Sequence, residues 1–154
     1  MTYWLMKNEV SDYSIDDLAK DKRADWTGVR NYQARNFMRD SMKKGDLAFF
    51  YHSNAEPSGC AGIMKIISAA KADLTQFDKK SPYFDPKAKK DSPIWILREV
   101  EFQEKLSRLV SIQELREISA CKNMVTLQKG SRLSITPVTE GEWKAVLRAS
   151  QLRA

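Results

Sequence analysis

Apolar positions in this chain fall mostly into short, strand-sized runs broken by polar turns, with a few stretches where they recur at helical spacing. Tyr3 to Lys7 reads as a short strand, Leu47 to Tyr51 as another after the Lys44-Gly45-Asp46 turn, and Ala61 to Ala69 as a third. Ile94 to Phe102 is the longest. There Ile94, Ile96, Val100 and Phe102 share one face and Glu99 and Glu101 the other, the alternation of a strand with one buried and one wetter side. Helices are expected to start at Ser14, Asn31, Ser111 and Thr139, residue types whose side chains accept from free backbone N–H groups of a first turn. Ser111-Ile112-Gln113-Glu114 and Thr139-Glu140-Gly141-Glu142 have the form of a capping box. Behind these caps Ile112, Leu115 and Ile118 share a side, as do Trp143, Val146 and Leu147. Strands interleaved with capped helices, several of the strands alternating, predict an α+β barrel rather than a doubly wound sheet.

With 154 residues and 42% hydrophobic content the chain can bury one substantial core, so residues 1–154 are expected to be a single domain, and a monomer. No apolar run is long enough to span a bilayer. Met1-Thr2-Tyr3-Trp4 passes straight into a strand pattern without the basic, apolar and cleavage regions of a secretory leader, and a cytoplasmic location is expected. Cys60 and Cys121 lie far apart in no Cys-x-x-Cys spacing, which predicts reduced, packed thiols and no zinc site. His52 is the only histidine, so no histidine cluster exists to hold a metal. No cofactor is expected.

A formal charge of +6 and a pI near 9.3 favour an anionic partner. Distribution sharpens this. Lys79, Lys80, Lys87, Lys89 and Lys90 surround Tyr83 and Phe84 in one proline-punctuated segment, a pattern that suits phosphate attraction plus base stacking on an exposed loop. A loop that merely aids solubility has the same composition.

The densest chemistry lies in Asp25-Trp26-Thr27-Gly28-Val29-Arg30-Asn31-Tyr32-Gln33-Ala34-Arg35-Asn36-Phe37. Aromatic faces, carboxamides and guanidinium groups crowd around one glycine. A neutral planar heterocycle such as a nucleobase needs such groups: a wall for its π-face, amides for its polar edge, guanidinium for the adjoining phosphate. The same pattern also fits Trp26, Tyr32 and Phe37 as core residues with solvated polar neighbours.

That block, the opening Tyr3-Trp4-Leu5-Met6-Lys7-Asn8-Glu9, the segment Gly45-Asp46-Leu47-Ala48-Phe49-Phe50-Tyr51-His52-Ser53-Asn54, then Tyr83-Phe84-Asp85-Pro86-Lys87, Lys129-Gly130-Ser131-Arg132-Leu133-Ser134-Ile135 and Pro137-Val138 resemble, in order, the EVE domain. The resemblance runs from Tyr3 to about Leu147. It implies a PUA-like mixed barrel of five or six strands with surrounding helices, and a pocket thought to read modified bases in DNA or RNA, as in the related YTH readers. Family members commonly carry Ser-Glu-Pro where this chain has Asn8-Glu9-Val10, and an amide at position 8 is larger than a hydroxyl and bonds differently. The resemblance places Trp26, Asn31, Tyr32, Gln33, Arg35 and Asn36 around one mouth with Lys7, Asn8, Tyr51, His52, Ser53 and Asn54. Arg30, Arg132 and Ser134 join the five lysines as expected phosphate contacts.

Other candidate chemistry has simpler explanations. Adjacent strand residues point to opposite faces, so His52 and Ser53 make a poor proton relay. Asp16-Asp17 and Glu140-x-Glu142 sit in first helical turns, where carboxylates complement the helix dipole. Gly130-Ser131-Arg132 lacks the spacing of a phosphate-cradling loop. The reading is a non-catalytic module that recognises a modified base in DNA or RNA through an aromatic and carboxamide-lined pocket. The alternative is a small-metabolite or protein-interaction module with a basic surface, and an enzyme acting on nucleic acid stands third.

Overall fold

A computed structural model of the protein describes residues 2–128 and 133–151. In chain order it holds β1 (Tyr3–Glu9), α1 (Ile15–Asp21), β2 (Arg23–Trp26), α2 (Tyr32–Asn36), β3 (Leu47–Ser53), β4 (Gly59–Ile66), β5 (Lys71–Ala72), β6 (Ile96–Ser111), α3 (Ile112–Glu117), β7 (Ile135–Val138) and α4 (Glu140–Gln151). The four expected helix starts are all present. Ser14 accepts from the Asp17 N–H while Asp17 accepts from Ser14, and Ser111 with Glu114 closes the same box. The Asn31 side chain accepts from Ala34 N–H. Thr139 and Glu142 exchange the corresponding pair of bonds at the head of α4.

The strands form one mixed sheet in the order β2-β6-β4-β3-β1-β7, with β5 added beside β6. Its seven strands exceed the five or six expected, and its ends, β2 and β7, do not pair among the described residues, so the barrel is open. β2, β5 and β7 are 4, 2 and 4 residues long, too short for a period to show in sequence. β6 runs on to Ser111, well past the expected end at Phe102.

β1 and β3 are the parallel pair, aligned from Tyr3 opposite Leu47 to Glu9 opposite Ser53. Both are covered on both faces, which is why they read as continuous apolar runs rather than alternating ones. Trp4, Met6, Ala48 and Phe50 point into one core, closed by Ile15 and Leu18 of α1 and by Met38 beyond α2. Leu5, Phe49 and Tyr51 point into the other, closed by Leu115 of α3 and by Trp143 and Val146 of α4. Helix α1 packs so closely on β4 that a Cβ at Gly62 would stand 2.3 Å from the Ile15 Cδ1 atom. Cys60 and Cys121 are both buried free thiols in the second core. Arg98 occupies the apolar face of β6 and is 4% exposed. It satisfies its guanidinium on the carbonyls of Met38, Met42 and Ser68, tying the turn after α2 to the sheet.

Candidate nucleic-acid interface

Parallel strands that end side by side leave their last side chains facing a common mouth. At the C-terminal ends of β1 and β3, Lys7, Asn8, Glu9 and Ser53 line a cavity of about 340 Å³, completed by Trp26 to Val29, Asp12, Tyr83 and Ser134. A hollow of about 230 Å³ adjoins it and shares Asn8, Asp12, Trp26 and Tyr83. The first volume lies at the low end of the roughly 300–1,000 Å³ of small-ligand pockets.

One wall is built on Gly28. Its φ of +84° is a left-handed conformation that other residues adopt only with strain, and the Tyr83 ring lies so close that a Cβ would stand 2.8 Å from Cζ. The Gly28 N–H donates to Asp73 at 2.8 Å. Asp73 is fully buried and also accepts from Thr75 N–H, Thr75 Oγ1 and the Arg30 guanidinium. Burial pushes this carboxyl up, but bonds from Thr75, Gly28 and Arg30 outweigh it and hold the pKa below the usual value. Arg30 in turn donates to the Tyr83 carbonyl through Nε at 3.0 Å and Nη2 at 2.7 Å. Asp73 thus holds Arg30, and Arg30 holds the Tyr83 backbone, with its guanidinium 5.4 Å from the centre of the Tyr83 ring.

The segment carrying Tyr83 is pinned at its base. Gln76, fully buried, donates to the carbonyls of Asp73 and Trp95 and accepts from the N–H groups of Ile94 and Trp95. Asp85 accepts from Trp95 Nε1 at 2.8 Å, a bond that holds its carboxyl below the usual range. Lys79, Lys80, Lys87, Lys89 and Lys90 all project from this pinned loop, and none of their ammonium groups has an ion pair among the described residues.

The cavity's own side chains are treated differently. Asp12 and Asn8 make no side-chain hydrogen bond among the described residues, nor do the Ser53 hydroxyl and the Lys7 ammonium. Lys7 lies 5.4 Å from the centre of the Tyr51 ring, and burial holds its pKa below the ordinary lysine value. Glu9 accepts from the Asn54 amide at 2.7 Å.

Of the residues singled out in sequence, Lys7, Asn8, Trp26, Ser53 and Ser134 line the cavity. Trp26 does so with little of its surface. It is 4% exposed and packs edge-on against Phe50 in the core, so the packing reading of this tryptophan holds alongside a place in the wall. Asn31, Tyr32, Gln33, Arg35 and Asn36 line neither hollow. The Asn31 side-chain oxygen caps α2. Tyr32 rests on Trp95 with ring centroids 4.9 Å apart, and Arg35 covers Tyr32 and bonds Ile94 O and Asn36. Tyr51 is buried in the second core. His52 Nε2 accepts the Ile15 N–H at 3.1 Å, which occupies the lone pair a general base would need, and burial lowers its pKa. Arg30 is committed to Asp73, Thr75 and Tyr83 rather than projecting toward a phosphate. Arg132 lies outside the described residues.

Sequence reasoning missed Asp73, Gln76 and Trp95. The Asp73-Leu74-Thr75 turn had a legible local signature, but its second partner, Gly28, lies 45 positions away.

Residues 2–149 match the EVE domain. Human thymocyte nuclear protein 1 is 42% identical over an alignment covering 95% of this chain and 72% of that protein. A structure of that human protein in complex with DNA containing 5-methylcytosine superposes with a TM-score of 0.94 at 39% identity, covering 100% of both chains. A Pseudomonas syringae protein gives a TM-score of 0.93 at 42% identity, over 96% of this chain and 99% of that one.

Proposed function

The chain belongs to the EVE domain family, and on that premise we propose that it is a non-catalytic reader that draws one modified base of DNA, of the 5-methylcytosine class, into the cavity between Trp26 and Tyr83. The observation that carries this is the cavity itself: it is walled by Trp26 and Tyr83, lined by Lys7, Asn8, Asp12 and Ser53, whose side chains have no hydrogen-bond partner among the described residues, and its Tyr83 comes from a pinned loop whose five lysines have no ion pair among those residues. The human relative's complex with 5-methylcytosine DNA supports the same direction.

Taking a base out of the stack costs a few kcal/mol. Stacking on an aromatic face returns about 1–3 kcal/mol per base, and edge hydrogen bonds to groups that have no other partner return more. Lys79, Lys80, Lys87, Lys89 and Lys90 act on phosphates as point charges, setting affinity without reading sequence. The reading needs no proton transfer, in keeping with a His52 whose lone pair is occupied.

Fluorescence anisotropy with matched duplexes, unmodified or carrying a single 5-methylcytosine, tests this across a range of salt. Both complexes should weaken with salt at the same slope, because the phosphate contacts are shared, while the modified duplex binds more tightly throughout. Equal affinity for the two duplexes at every salt concentration overturns the reading. A ligand whose binding ignores salt would favour the metabolite alternative.

A further inference from the structure

We propose that Asp12 selects the base class admitted to the cavity, favouring bases that present an exocyclic amine over those that present a carbonyl at the same place. The inference rests on the base-reading function above and names which edge is read.

The cavity's hydrogen-bonding groups divide by what they can do. Asn8, Ser53 and Thr27 each offer both a donor and an acceptor, so they can turn to suit either kind of partner. Lys7 can only donate. An ionised carboxylate can only accept, and the cavity has two, Glu9 and Asp12. Glu9 is already bonded to the Asn54 amide at 2.7 Å. Asp12 has no side-chain partner among the described residues, and it borders both hollows, as do Trp26 and Tyr83. Its backbone is held: the Asp12 N–H donates to Glu9 O at 3.0 Å, and the Tyr13 N–H donates to the same oxygen. The free carboxylate therefore sits on a tied turn beside the aromatic walls.

A donor-only and an acceptor-only group at one mouth suit a particular pattern. Cytosine presents an amine at C4 beside the acceptors N3 and O2, whereas thymine presents a carbonyl at C4 and an N–H at N3. A carboxylate set against the C4 substituent accepts from the cytosine amine, whereas at that place thymine offers only a carbonyl oxygen, which repels it. The 5-methyl group is common to 5-methylcytosine and thymine, so it cannot tell them apart.

The test uses one duplex sequence with a single target opposite guanine, which is 5-methylcytosine, cytosine or thymine, and compares the wild-type chain with Asp12→Asn and Asp12→Ala. A thymine·guanine mismatch opens more readily than a matched pair, so a preference for 5-methylcytosine cannot come from the cost of extrusion. Wild-type protein should prefer 5-methylcytosine by about tenfold. Both variants should bring the ratio close to unity while melting temperature and salt slope stay as they were, since the Asp12 side chain bonds no other among the described residues. Variants that keep the wild-type ratio overturn the assignment and leave the base-reading function standing. Wild-type protein that binds both targets equally, yet still prefers 5-methylcytosine to cytosine, also overturns it. No preference among any of the three bases would sink the underlying reading as well.

Discussion

Two polar regions lie next to each other in this molecule and use their hydrogen-bonding groups in opposite ways. Around Asp73 and Gln76, both fully buried, the carboxylate and the carboxamide are met by backbone and side-chain partners from Gly28, Arg30, Thr75, Ile94 and Trp95. Around Lys7, Asn8, Asp12 and Ser53, in the cavity, the side chains make no hydrogen bonds among the described residues. The first region has spent its polarity on holding loops in place, and the second has kept it available. Burial and saturation together mark structure, whereas the part-exposed groups of the cavity keep their bonds for water or for a ligand. Tyr83 joins the two, positioned by the saturated network and displayed to the unsaturated one.

The comparison breaks most sharply at Asp73. Asp73→Ala removes the acceptor for Gly28, Thr75 and Arg30 and leaves the guanidinium without its carboxylate, so it should cost about 3–5 kcal/mol in denaturant unfolding and abolish base preference with it. Trp26→Ala should cost about as much, because a buried indole leaves a cavity behind. A chemical melt that shows Trp26→Ala as stable as wild type would mean that the ring is not core.

Tyr83→Ala separates the two regions. The ring is 39% exposed, so stability should fall by less than about 1 kcal/mol. Base preference should fall by about 1–3 kcal/mol, read from competition between modified and unmodified duplexes. Exchanging Lys79, Lys80, Lys87, Lys89 and Lys90 together for glutamine should weaken binding to all duplexes alike and flatten the salt slope, with an unchanged melting temperature. An unaltered slope would move the phosphate track to another face.

The smallest effect is a pH dependence. Burial holds His52 below the ordinary histidine value of about 6.5. The native state therefore resists a proton that the unfolded chain accepts. Stability contributed by neutral His52 is whole above about pH 6.5 and declines as pH falls toward its native pKa. His52→Gln should flatten that part of a pH series of urea melts.

What the sequence revealed follows from how local each determinant is. The caps at Ser14, Asn31, Ser111 and Thr139 are set within three residues, and all four were legible. The α+β class followed from strand and cap signals, whereas β2, β5 and β7 were too short to announce themselves. Arg98 shares its parity with Ile96 and Val100, so its burial was implied by the alternation, but its acceptors at Met38, Met42 and Ser68 were not. In the Trp26 to Asn36 block, chemistry alone could not separate residues facing the cavity from those facing away. Gly28 and Trp26 line it, while α2 turns Tyr32 and Arg35 toward Trp95. Asp12 carried no motif and was found only through what surrounds it.

Whether a base enters the cavity can be read directly by placing 2-aminopurine next to the target 5-methylcytosine, where its fluorescence is quenched by stacking. Saturating wild-type protein should raise the emission as the neighbouring base leaves the helix, and Tyr83→Ala should bind the duplex through its lysines with a much smaller rise. Emission that stays quenched while the preference for 5-methylcytosine persists would show that the base is read within the helix, and would contradict a cavity-based reader.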